Sequence, residues 1–98
     1  MILVTGSFVA KDGCLAEAIA LSTGHVLRSR LEPGCLAHGV HQDVENLSRL
    51  VFVEQWADEA ALAAHFAVPA SRAFVKAVRA LAVGVPDIAV FEATRVRR

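Results

Sequence analysis

Residues 50–66 read LVFVEQWADEAALAAHF, and the hydrophobic period changes half-way along. Up to Trp56 the residues alternate as in a strand. Leu50, Phe52, Glu54 and Trp56 fall on one side, and Val51, Val53 and Gln55 on the other. From Asp58 the spacing is helical. Asp58 suits an N-cap, and Glu59 beside it suits the positive end of a helix. Ala61, Leu62, His65 and Phe66 then lie on neighbouring rows that turn inward. One strand-to-helix unit therefore carries a carboxylate, the only Trp and a histidine on an apolar helix face.

Working back from this unit, residues 35–43 (CLAHGVHQD) form a strand with Leu36, His38, Val40 and Gln42 on one face. A polar connection over 44–48 leads to the next strand at 49–56. Residues 2–10 (ILVTGSFVA) are a strand uncharged on both faces. Lys11-Asp12-Gly13 is a turn with Asp12 as candidate N-cap. The helix that follows, 13–31, points Leu15, Ala18, Ile19, Ser22, Val26 and Leu27 inward, and Glu32-Pro33-Gly34 ends it.

Working forward, Pro69 breaks the short helix 58–66. A further helix, 70–83, presents Phe74, Val75, Val78, Leu81 and Ala82 to the interior. Gly84 suits its C′ position, and the last strand is 86–96. The order β-α-β-β-α-β, with the second helical region split, is the ferredoxin-like arrangement. It predicts an α+β fold with a four-stranded antiparallel sheet, as a single domain over 1–98.

Hydrophobic residues make up 55% of the chain, against about 45–50% in ordinary soluble domains. No run approaches the ~20 apolar residues of a membrane helix. The excess predicts a subunit interface. Helices cover one face of such a sheet, and here the other face is also apolar on three strands. A homodimer packed sheet to sheet over more than about 1,000 Å² would cover it. Ten basic and ten acidic residues balance, which argues against a nucleic-acid partner. The first residues lack the basic and apolar regions of a signal peptide, so a cytoplasmic location with reduced Cys14 and Cys35 is expected. Two Cys and four His show no zinc-ligand spacing.

The run Arg30-Leu31-Glu32-Pro33-Gly34-Cys35, then Phe52-Val53-Glu54-Gln55-Trp56 followed by Ala60-Ala61-Leu62-Ala63-Ala64-His65, resembles the antibiotic biosynthesis monooxygenase domain of the small quinol-monooxygenase kind. That resemblance implies a homodimer forming a dimeric α+β barrel, each subunit with a pocket between its own sheet and helices. It implies oxygenation of a phenol, quinol or polyketide-type aromatic by O2, without metal or flavin. Some relatives degrade haem. They carry an Asn early in the first strand, a Trp on the short helix and a His ligand on the next one. Here those regions hold Ser7, His65 and no His, so the haem reading lacks its axial ligand.

Oxygenation without a cofactor needs an electron-rich anion, hence a base, in an apolar pocket. His65 is the first candidate base and His38 the second; His25 and His41 read as surface residues. Trp56 is a candidate stacking surface. Glu54, on an apolar face, needs a partner such as Arg30 or His65. Phe66 and Phe74 are candidate pocket walls, and Cys35 reads as a small core residue. The alternative is a non-catalytic dimer that binds a small apolar ligand or serves as an interaction module. Its interior would be filled where an enzyme has a cavity beside His65.

Overall fold

A computed structural model describes all residues, Met1–Arg98. The elements are β1 (Ile2–Ala10), α1 (Leu15–Ser29), β2 (Cys35–Asp43), β3 (Asn46–Trp56), α2 (Glu59–Ala67), α3 (Pro69–Leu81) and β4 (Ala82–Glu92). They build a four-stranded antiparallel sheet in the order β2-β3-β1-β4, with the three helices on one face: the ferredoxin-like topology. No helix is long and apolar enough to cross a membrane.

The alternation expected of β1 and β3 is observed. Ile2, Val4 and Phe8, with Leu50, Phe52, Glu54 and Trp56, are buried beneath the helices. Two apolar clusters result. Phe8, Leu50 and Phe52 pack with Val26, Val78 and Ala82; Ile2, Val4 and Trp56 pack with Leu62. The opposite face carries Leu3, Thr5, Val9, Val51 and Val53, none of them fully buried, with Phe91 half exposed beside Leu3.

Several boundaries differ from the sequence reading. Asp12 does not cap α1: Cys14 is the N-cap residue, with no side-chain cap bond. The β2–β3 turn is tighter than expected, because β3 already starts at Asn46. Residue Gly84 lies inside β4, which starts four residues earlier than expected, at Ala82. Between the pairs Ser7–Asp87 and Val9–Val83 the register slips by two residues, through Gly84-Val85-Pro86. Gly84 takes φ +72°, and Pro86 has no N–H to pair. Both are tolerated because β4 is an edge strand and the segment is bulged.

A second irregularity places a functional side chain. Cys35 pairs with Trp56, but Ala37 pairs with Gln55, so Leu36 is extruded and exposed. It therefore does not share the face of His38, as strict alternation had it. The slip puts Cys35 and His38 together on the helix side.

The α1–β2 turn is tied to the start of α2. Gly34 has φ +81°, and a Cβ there would stand 2.5 Å from Ala61 Cβ, so only glycine allows the approach. Ala57 N donates to Gly34 O at 2.8 Å across the same junction. Asp58 caps α2 as expected, accepting from Ala61 N at 2.8 Å.

Candidate active site

Three helix and strand segments each send one histidine to the same place. His25 comes from α1, His38 from β2 and His65 from α2, with ring centroids 5.3–5.7 Å apart and exposures of 5%, 4% and 3%. His25 was expected at the surface. The buried row of α1 is instead Ala18, Ser22, His25, Val26 and Ser29, and the larger Ile19 and Leu27 stay exposed. The small residues let α1 lie close to the sheet, which carries His25 inside. His41 is exposed, as expected.

Glu54 sits on β3 beside this group. Its Oε1 accepts from Trp56 Nε1 at 2.9 Å, and lies 3.3 Å from His38 Nε2 and 3.9 Å from His65 Nε2. The His38 approach is off the line of a hydrogen bond, so neither ring nitrogen of His38 has an aligned partner. Burial alone would raise the Glu54 pKa. The contact and charge of His38, the Trp56 N–H and the charge of His65 outweigh it and hold the carboxyl below its ordinary value. The partner expected for Glu54 is thus found, but Arg30 is not among them: its Nε donates to the backbone oxygen of His38 at 2.8 Å.

The partner that sequence reasoning missed is Glu32. Its Oε1 lies 2.8 Å from His65 Nδ1. A carboxylate only accepts, so Nδ1 carries a proton, and the tautomer this selects has its lone pair at Nε2, 3.9 Å from Glu54 Oε1. His25 stacks on Phe74, with centroids 4.0 Å apart and planes within 6°. Burial, reinforced by the charges of His38 and His65, lowers its pKa to about 3, so it is neutral at physiological pH.

A cavity of about 440 Å³ opens beside these groups. His25, Glu54 and His65 line it, with Phe52, Phe66 and Phe74 as apolar walls and the bulge of β4 at its edge. Phe66 is not buried as predicted; it is 44% exposed and forms cavity wall. Trp56 does not reach the cavity, so it cannot stack on a ligand there. It is completely buried, its ring 4.5 Å from that of His65, and it serves to hold Glu54. His38 lies behind Glu54, outside the cavity wall. Cys35 is partly buried, and burial with Glu32 and Glu54 nearby raises its thiol pKa, which leaves it unreactive.

Residues 1–77 match the family described as antibiotic biosynthesis monooxygenase. The chain belongs to this family. A Synechocystis protein of undefined activity, sll1783, is 36% identical over 75 residues, which are 76% of this chain. The chain spans about half the length of that curated relative, 51%. Among solved structures, one described as an antibiotic biosynthesis monooxygenase is 26% identical, with a TM-score of 0.89, covering 97% of this chain and all of the other. Another, from Pseudomonas aeruginosa, is 26% identical, with a TM-score of 0.86 over 96% of this chain and 94% of its own. A Deinococcus radiodurans protein assigned to the same monooxygenases superposes with a TM-score of 0.94 at 24% identity, covering 100% and 97% of the two chains. At that identity it speaks for the fold alone.

Proposed function

We propose that this monooxygenase-family chain oxygenates a small phenol, quinol or polyketide-type aromatic with O2, using the Glu32–His65 pair as its base. The observation that carries this is the geometry of that pair. Glu32 fixes the proton on Nδ1, which leaves the Nε2 lone pair on the side of Glu54, and His65 and Glu54 both line an apolar cavity. Histidine so held is suited to take a phenolic proton near neutral pH. A cavity of about 440 Å³ suits two or three fused rings, since ~150 Å³ already accepts benzene. An aromatic ring seated against its apolar walls would displace water from the anion and from the peroxide that follows.

For a quinol the balance is quinol plus O2 to hydroxyquinone plus water. His65 removes the proton, and the anion gives electrons to O2. One oxygen atom forms a new C–O bond to the ring. The other leaves as water with the two hydrogens the quinol loses, and His65 returns its proton to that leaving oxygen. Neither metal nor flavin enters this balance, and the two unpaired thiols suit a reducing, cytoplasmic setting.

Oxygen uptake with a panel of quinols and polycyclic phenols, in chelator-treated buffer, tests the reading. His65→Ala is expected to lower the rate by about 10²–10⁴-fold with the fold intact. Absence of uptake with every compound, or an active His65→Ala variant, overturns it. A second reading, ligand binding without turnover, is favoured by the near-complete burial of His65. It is distinguished by compounds that bind without consuming oxygen.

The working unit in this reading is a homodimer. It is supported by the apolar side chains Leu3, Val9, Val51, Val53 and Phe91 on the face that no helix covers. Sedimentation should give twice the 10.4 kDa chain mass, and a monomer at micromolar concentration would refute the pairing.

A further inference from the structure

The three histidines do more than flank a cavity. Each presents a ring nitrogen, and these three atoms all lie within 4.8 Å of one another. They come from three separate elements, so no sequence spacing announces them. We propose that His25, His38 and His65 form a binding site for a divalent first-row transition cation, with Glu54 supplying the adjacent negative charge.

Four independent features support the site. First, both ring nitrogens of His38 are buried without an aligned partner. Buried polar atoms are normally satisfied, and an imidazole lone pair without a donor is what a cation takes up. Second, Glu32 holds Nδ1 of His65 at 2.8 Å. A carboxylate on the far nitrogen of a histidine fixes the ring and raises the basicity of the ligating nitrogen, the usual outer shell of a metal-bound imidazole. Third, Glu54 Oε1 lies 3.3 Å from His38 Nε2 and 3.9 Å from His65 Nε2. Its charge would offset part of the cost of burying a dication, and the Trp56 N–H holds it in place. Fourth, His25, Glu54 and His65 line the cavity, which gives the ion an entry path and leaves a side open to water or a small ligand.

The donor set selects the cation class. Imidazole nitrogens with a carboxylate suit zinc, copper, nickel or iron rather than magnesium or calcium. Tetrahedral zinc–nitrogen bonds of about 2.0–2.1 Å place ligand nitrogens roughly 3.4 Å apart. Binding would draw the ligand nitrogens together by up to about 1.4 Å to reach that spacing.

Cation binding and proton abstraction use the same lone pair, His65 Nε2, so the two states exclude one another. The cation site stands on the histidine geometry alone. If no substrate is ever oxygenated, it is unaffected; if no cation binds, the base reading is unaffected.

The test uses the untagged chain, stripped with chelator and titrated with Co2+ as an optical probe, then with Zn2+ by calorimetry. One Co2+ per chain should bind, with a visible absorption band of a low-coordinate nitrogen site that Zn2+ displaces. His38→Gln and His25→Gln should each abolish the band, while His41→Gln, at an exposed position, should leave it unchanged. Glu32→Gln should weaken binding by about 10–100-fold. Circular dichroism of each variant confirms folding, and Glu32→Gln decides the matter if a histidine variant does not fold. No saturable band, a band that survives His38→Gln, or one lost with His41 overturns the site.

Discussion

Phe8, Leu50 and Phe52 pack against Val26, Val78 and Ala82 with no polar side chain in the cluster. A few ångströms away, between Phe74 and Trp56, the same layer is filled by His25, His38, His65 and Glu54. Both regions are equally buried and lie under the same helices. The first is favoured by burial itself, at about 1.5–3 kcal/mol per large side chain. The second is favoured only so far as its groups find one another, since buried polar groups cost free energy unless paired. A fold that places four titratable side chains where apolar ones would be more stable has a use for them, and the cavity lies beside that group.

The contrast is broken hardest at Trp56, which packs with the apolar Ile2, Val4 and Leu62 on one side and meets His38 and His65 on the other. Trp56→Ala removes a fully buried ring and the N–H that Glu54 accepts, and is expected to cost about 3–5 kcal/mol in urea unfolding followed by circular dichroism. Trp56→Phe keeps most of the ring and isolates the polar part, at about 1–3 kcal/mol. A Trp56→Phe chain as stable as the parent would mean that Glu54 does not need the indole.

Acid should distinguish the two regions next. His25 titrates near 6.5 when unfolded and at about 3 when folded. Below pH 6.5 the unfolded chain therefore binds the extra proton, so stability falls as the pH is lowered toward 3. The slope approaches about 1.4 kcal/mol per pH unit. Glu54, also depressed in the folded state, adds a loss of the same sign that begins near its unfolded value of 4.5 and grows below it. Urea midpoints in chelator at pH 7.5, 6 and 5 measure the first limb, and a flat profile would contradict the burial of His25.

The smallest effect is the most pointed. His25→Phe replaces an imidazole stacked on Phe74 by an apolar ring of similar shape. It should change stability at pH 7.5 by about 1 kcal/mol or less, in either direction, and remove the limb between pH 6.5 and 5. A large loss at pH 7.5 would mean that His25 holds the fold, as Phe8 does, and the contrast would fail.

How much of this was legible in the sequence follows from the same division. The alternation through Phe52, Glu54 and Trp56 marks a strand, its buried face and a carboxylate needing a partner. Asp58 and Pro69 punctuate the helices, and the β-α-β-β-α-β order follows. Gly84 and Pro86 misled, because the residues that stop a helix are also those that bulge an edge strand. At the site, His65 and His38 could be read from their own elements. His25 could not, because the large apolar residues of α1 suggest a different buried face. Ala18 and Ser22 read correctly as inward, but Ser29, which continues their small-residue row past His25, marks the close packing that the larger Ile19 and Leu27 mask. Glu32 is 33 residues from His65 in sequence, and only the Gly34 turn against Ala61 brings it there.

Trp56 has one more consequence. It is the only Trp, and the chain has no Tyr, so emission excited at the red edge of protein absorption comes from a single indole. That indole donates to Glu54 and lies 4.5 Å from the ring of His65. A proton, a cation or an aromatic molecule arriving at the histidines changes the charge and the quencher next to the fluorophore. The chain therefore carries its own optical probe at its centre, with no competing background from elsewhere in the fold.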